Sequence, residues 1–334
     1  MIRSVLAPLL LLVVLIVPAA AAEERVTIGT MRQISNGALF LAAAKDYFKA
    51  EGLEVDMTAY ASESDVADAL AAGATDLGLA AFTPAAFNHA GRGTIKAIAA
   101  QVREKRDYEG NELIASTTAY ANGLRSFEGL ANRVVAIDKL GSPFHYQLGQ
   151  IARIKKFDFK GMTLKPMQRY DEMARAVGTG KVDAALLPAQ YARELLIANQ
   201  GRLIGWYSEL DEQQLGALFV NAKALAGKRA LIEKFVRAYQ RGAADYTPLL
   251  KLDRGKRAST SKSREVATLI ARYVFPGKPL GSSAATVESG VYYIDPKARL
   301  NFADIERQIE WFKAQGLIDA SVDARNALDA SFIK

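Results

Sequence analysis

The chain has 334 residues, 43 Lys and Arg against 36 Asp and Glu, a net charge of +7, two His and no Cys. The missing cysteines exclude a disulfide scaffold, a thiolate metal site and a lipid-anchored cysteine. The excess charge is modest and gathers in residues 251–264 (KLDRGKRASTSKSR), which have no interleaved aromatics and read as a solvated segment, not a nucleic-acid surface.

Arg3 precedes an apolar run from Val5 to Val17, followed by Pro18 and the small residues Ala19 to Ala22. This pattern predicts a cleavable secretory signal over 1–22, with the cut before Glu23. The run is well short of the roughly 20 apolar residues that a bilayer-spanning helix needs, so the mature protein is expected to be soluble and not membrane-spanning. What remains is longer than one core usually organises, and two domains are expected.

After the signal, short apolar strands alternate with helical stretches, the pattern of an α/β fold with largely parallel sheets. Val26 to Thr30 reads as a strand and Gly37 to Ala50 as a helix closed by Gly52. Leu53, Val55 and Met57 alternate as a second strand, Ser62 or Ser64 caps the next helix, and Leu77 to Ala81 is a buried strand. The plan then repeats: strand Val134 to Ile137 stands 108 residues after Val26, Leu164 stands 107 after Met57, and Gly180-x-x-Asp183 echoes Gly73-x-x-Asp76 at 107. Several elements holding one offset argue for two lobes of related topology. Leu113 to Tyr120 reads as an extended crossing and Gly216 to Val220 as a strand returning to the first lobe, so two crossings make a hinge. Helices follow at Lys228 to Tyr246, Ser263 to Val274 and Asp304 to Gln315, the last closed by Gly316, and are expected to pack around lobe one and reach toward lobe two. The expected division is 23–117 and 216–334 for lobe one, and 118–215 for lobe two.

Four segments carry a family likeness: LAAAKDYFKAEGLEVDM (41–57), ALAAGATDLGLAAFTPAAF (69–87), GLRSFEGLANRVVAIDKLGS (123–142) and AVGTGKVDAALLPA (176–189). Together they resemble the nitrate, sulfonate and taurine class of ABC-transporter substrate-binding proteins, which includes the NMT1/THI5-like binders of thiamine precursors. The resemblance implies an α/β, two-lobed periplasmic-binding-protein (Venus flytrap, type II) fold with two hinge crossings. It also implies a monomeric periplasmic protein whose partners are a small-molecule ligand and the permease and ATPase of an ABC importer. Two positions depart from the pattern: Asn132 where Gly is common, and Leu187 before Pro188 where a polar residue is frequent.

Ligands of open α/β sheets sit at the carboxyl ends of strands, and paired lobes set those ends face to face. The candidate ligand-binding residues are therefore Arg32, Gln33, Asn36, Gly37, Ser62, Phe82, Thr83, Ser142, Phe144, His145 and Pro188. Thr83-Pro84 and Ser142-Pro143 open helices whose free N–H groups suit an anion, the alternative being ordinary caps hydrated by water. Arg32 suits an ion pair or simply solvent. Phe82, Phe144 and Tyr191 can stack on a flat ligand or belong to the core. His145 can hydrogen-bond a ligand. Glu63 can select an amine or remain solvated. Asp76 and Asp183, at matching positions, read as turn residues that bind backbone amides. No metal site and no cofactor are expected.

The resemblance implies a binding protein that captures a small organic anion, a sulfonate or an aromatic carboxylate, by lobe closure, and the aromatic residues and helix N-termini near the expected cleft favour the anion. Two other binding roles stay open: a pyrimidine-type thiamine precursor as ligand, or a periplasmic sensory module. An enzyme is disfavoured, because the chain has no nucleophile elbow, no P-loop and no paired-His metal motif.

Overall fold

The computed structural model describes residues 23–250, 252–253 and 256–333. The expected signal and part of the basic stretch lie outside them. In chain order the main strands are β1 (Glu24–Thr30), β2 (Leu53–Ala59), β3 (Leu77–Ala81), β4 (Ile95–Ala100), β5 (Val102–Glu104) and β6 (Asn111–Ser116). They continue as β7 (Val134–Ile137), β8 (Thr163–Pro166), β9 (Ala184–Pro188), β10 (Gly201–Trp206), β11 (Gln213–Gln214) and β12 (Gly216–Asn221).

Two five-stranded sheets form, with orders β2-β1-β3-β12-β4 and β8-β7-β9-β6-β10. In the first, β1 runs parallel to β2 and β3, while β12 runs antiparallel to β3 and β4. In the second, β7 runs parallel to β8 and β9, while β6 runs antiparallel to β9 and β10. The plan is the same, and in each lobe the antiparallel strand is the one that has just crossed from the other lobe. This is the two-lobed periplasmic-binding-protein fold.

The alternation of side chains explains why both sheets have two covered faces. Along β3 and β12, Leu77, Leu79, Leu218 and Val220 enter one core with Phe235 and Ile270, whereas Ala80, Ala217 and Phe219 enter another with Phe87 and Phe312. In the second sheet Leu113, Ala115, Val135 and Ile137 face one core, and Ile114, Ala136, Ala185 and Leu187 face the other. Leu187 is thus held by packing, which accounts for an apolar residue before Pro188.

Sheet membership moves one expected boundary. Leu113 to Tyr120, expected as an extended crossing, is already built into lobe two: β6 is an inner strand of the second sheet, followed by a short helix, Thr117–Ala121, capped by Ser116. The β formers in LIASTTAY specified a strand but not its partners. The changeover between sheets therefore falls between β5 and β6 and not at residue 117. The hinge itself is a small antiparallel sheet of β11, β5 and Tyr293–Ile294, so a third, C-terminal segment braces the two crossings.

The helix expected over 37–50 is broken at Asp46, which adopts φ +55° between Gly37–Ala44 and Tyr47–Ala50. Asn132 adopts φ +62°, a left-handed conformation that Asn tolerates better than most residues, which explains its presence where glycine is common. Helix Arg229–Asp245 crosses Gly37–Ala44 closely, since a Cβ on Gly242 would approach the Ala38 carbonyl oxygen to 2.1 Å. Helix Phe302–Ala314 extends to the second lobe, where Trp311 lies over Gly149 and packs edge-on against His145 and Tyr146, with centroids 5.0 and 5.5 Å away.

Candidate functional site

The ends of β1, β2 and β3 face the ends of β7, β8 and β9, and the rims of the two lobes touch. Lys139 Nζ donates to Ser64 Oγ at 3.2 Å, and Gly141 (φ +81°) passes so near Pro84 that a Cβ there would lie 2.6 Å from Pro84 Cγ. Behind this contact lies a cavity of about 360 Å³, within the size range of small-molecule sites.

Four of the expected residues line it: Arg32, Gln33, Phe144 and Pro188. The other seven do not. Asn36 is fully buried, donating to Thr30 Oγ1 and the Met31 carbonyl and accepting from Gln101 Nε2 at 2.5 Å, so its amide is consumed within lobe one. Gly37 is packed against Tyr246 and Ile270. Ser62, Thr83 and Ser142 turn their oxygens back onto their own helices, accepting from the amides of Asp65, Ala86 and His145. Phe82 stacks on Phe87 at 5.2 Å and meets Phe219 edge-on at 5.4 Å, within the core. His145 accepts from the Gly141 amide through Nδ1 and packs on Trp311, and burial pushes its pKa down to about 4. The caps were legible in the sequence, and in the structure these hydroxyls serve their own helices and do not line the cavity.

Asp76 and Asp183 act alike. Asp76 Oδ2 accepts from the Thr27 amide at 3.2 Å, and Asp183 Oδ2 from the Val134 amide at 2.8 Å, each 49 residues away on the first strand of its sheet. They anchor backbone, although on a neighbouring strand and not within the turn.

The chemistry of the cavity centres on Glu63, the first residue of helix Glu63–Ala71. Its Oε2 accepts from the Ala81 amide at 2.8 Å. Burial nevertheless pushes its pKa up to about 7, the nearby Lys139 ammonium offsetting only part of that cost. Facing it are rings from lobe two, where Phe144 and Tyr191 each meet Tyr170 edge-on at 5.5 and 5.8 Å. Tyr292 and Phe275 add rings from the C-terminal part of the chain, and Gln190, Glu194 and Asn111 add polar groups. Tyr170 and Tyr191 stand 107 residues after Glu63 and Pro84, so the repeat offset already pointed to Tyr170. Tyr292, Phe275 and Asn111 carry no comparable local signal. Arg32, at the exposed mouth, is the one cation among the described lining residues. No group of three or more His, Asp or Glu among the described residues could hold a metal ion.

The family model described as NMT1/THI5 like matches residues 33–248. The chain belongs to the NMT1/THI5-like family. Among curated proteins no sequence matches it significantly. Solved structures do. The periplasmic aliphatic sulphonate binding protein SsuA from Escherichia coli is 17% identical, with a TM-score of 0.71 over 91% of each chain. The periplasmic nitrate-binding protein NrtA from Synechocystis is 12% identical, with a TM-score of 0.66 over 90% of this chain and 84% of its own. A Candida albicans protein described as having the generic periplasmic binding protein fold is 12% identical, with a TM-score of 0.61 over 93% and 98%. These likenesses bear on the fold. No helix of the described residues is long and apolar enough to cross a membrane.

Proposed function

We infer that this family member is an exported periplasmic solute-binding protein that closes its lobes on a small, flat organic molecule bearing N–H donors, of the pyrimidine type, and delivers it to an ABC importer. The observation that carries the ligand class is the Glu63 carboxyl, sunk in an aromatic-walled cavity with one oxygen tied to the Ala81 amide. A carboxyl so poorly solvated that its pKa rises to about 7 gains most from a partner that donates hydrogen bonds or carries positive charge. Phe144, Tyr170 and Tyr191 supply the faces and edges against which a planar ring packs.

An organic anion, the expectation from helix N-termini, is the second reading. Arg32 at the mouth favours it, but Glu63 and Glu194 line the same cavity and oppose it. Calorimetry on residues 23–334 with 4-amino-5-hydroxymethyl-2-methylpyrimidine, benzoate, methanesulfonate and nitrate separates the two. Binding of the aminopyrimidine at least tenfold tighter than any anion is expected. Tighter binding of benzoate or methanesulfonate overturns the N–H donor reading and leaves the anion.

A further inference from the structure

The hinge and the cavity share a buried polar chain. Tyr292 Oη donates to Asn111 Oδ1 at 2.7 Å, Asn111 Nδ2 donates to Gln147 Oε1 at 3.0 Å, and Gln147 Nε2 donates to Gln213 Oε1 at 2.8 Å. Tyr292 and Asn111 line the cavity, whereas Gln147 and Gln213 do not. The four are from 0 to 8% exposed. The chain is also bound to the hinge backbone, since Glu104 Oε1 on β5 accepts from the Asn111 amide at 2.9 Å, and Glu104 faces Gln213 across the β5–β11 ladder.

Each residue comes from a different part of the molecule. Tyr292 precedes the third hinge strand, Asn111 opens the first strand of lobe two's sheet, Gln147 lies on helix Pro143–Lys155 of lobe two, and Gln213 is in the returning crossing. Rotation of one lobe against the other must alter the spacing between these elements, because they belong to both crossings and to the moving helix. Apolar contacts are non-directional and can re-form with new neighbours. A buried amide that loses its partner pays the full desolvation penalty, so the chain favours discrete arrangements of the hinge.

Resting on the ligand reading above, we propose that Asn111 and Tyr292 are specificity-determining residues that read a polar edge of the bound ring, and that Gln147 and Gln213 are positioning residues linking that contact to the hinge. A ring that engages Tyr292 and Asn111 fixes the first link of the chain, and the remaining links then hold the crossings in the closed register. Occupancy of the cavity and the state of the hinge are thereby one equilibrium.

A double-mutant cycle on affinity tests this. Binding of 4-amino-5-hydroxymethyl-2-methylpyrimidine is measured for the wild type, Tyr292→Phe, Gln213→Leu and the double variant, with thermal melts confirming folding. If the wild type does not bind this probe, the ligand reading fails by itself, and the same cycle is run with benzoate, whose carboxylate gives the ring a polar edge. Each single variant is expected to weaken binding about tenfold, and the double variant to lose no more than threefold beyond the weaker single one. Unchanged affinity in Gln213→Leu, or losses that multiply in the double variant, overturns the proposal. Should Gln213→Leu fail to fold, Gln147→Met interrupts the same chain, with the same two outcomes.

Discussion

The two lobes share one strand order yet divide the chemistry between them. Helix Glu63–Ala71 of lobe one begins with a carboxylate, and its counterpart in lobe two, Tyr170–Gly178, begins with a tyrosine. The helix after β3 begins with Pro84, and that after β9 carries Tyr191 at the matching place. A repeated scaffold thus offers equivalent positions at its strand ends, and each lobe has filled them differently: lobe one with a group that reads charge and hydrogen bonds, lobe two with rings that read shape. Neither lobe alone encloses a site.

Exchanging the contributions of the lobes should show which dominates. The largest effect is expected from Glu63→Gln, which keeps an acceptor for the Ala81 amide but removes the charge. Affinity for the aminopyrimidine should fall by about 1.5–3 kcal/mol, the scale of a hydrogen bond to a charged group, as read by calorimetry. Tyr170→Ala comes next, with a loss of about 1–2 kcal/mol for the missing ring contact, and with equal effect on aminated and bare pyrimidines. A loss selective for the aminated ring would instead assign Tyr170 a polar role and blur the division between lobes.

The pH dependence bears on the same division, because burial raises the Glu63 carboxyl of lobe one to about 7. Glu63 in the free protein has a pKa raised to about 7, and N–H donors favour its ionised form. Affinity should therefore rise as pH increases from 6 to 8 and then level off, and Glu63→Gln should flatten the profile. The hinge carboxyl behaves differently, acting on stability. Burial lifts Glu104 to about 8 from the ordinary 4.5. Below pH 4.5 it is protonated whether the chain is folded or not, and contributes nothing. Between 4.5 and about 8 the unfolded chain loses the proton while the folded one keeps it, so the cost to stability grows across that window and is constant above it. Glu104→Gln should accordingly stabilise the protein in urea or thermal melts, by little at pH 5 and by an amount on the order of a few kcal/mol at pH 8. The smallest effect belongs to Arg32→Ala, at the solvent-exposed mouth, where a change in aminopyrimidine affinity below about threefold is expected.

Much of this architecture was legible in the residues. The 107-residue offset located both sheets, and Gly52, Gly73, Gly180 and Gly316 all take the positive φ that ends a helix at such positions. Local chemistry also identified Thr83 and Ser142 as caps. What the sequence withheld is tertiary. The β formers at 113–120 announce a strand but say nothing of its neighbours or of its end at Ser116, so its place in the second sheet was missed. Tyr292 and Phe275 reach the cavity because C-terminal segments fold back over the hinge and lobe one, and no spacing rule anticipates that return. Thr83, Ser142 and Asn36 were sound candidates by position, yet the two hydroxyls cap their own helices, the Asn36 amide is bonded within lobe one, and none of the three lines the cavity.

Lobe one's Glu63 and lobe two's rings are expected to grip opposite features of a single guest. A crystal structure of residues 23–334 with 4-amino-5-hydroxymethyl-2-methylpyrimidine tests this most directly. The exocyclic amine is expected within 3.2 Å of a Glu63 carboxylate oxygen, with the ring packed against Tyr170 and Phe144. A ring bound with its amine turned away from Glu63, or seated outside the cavity, rules out Glu63 as the group that reads the guest's N–H donors.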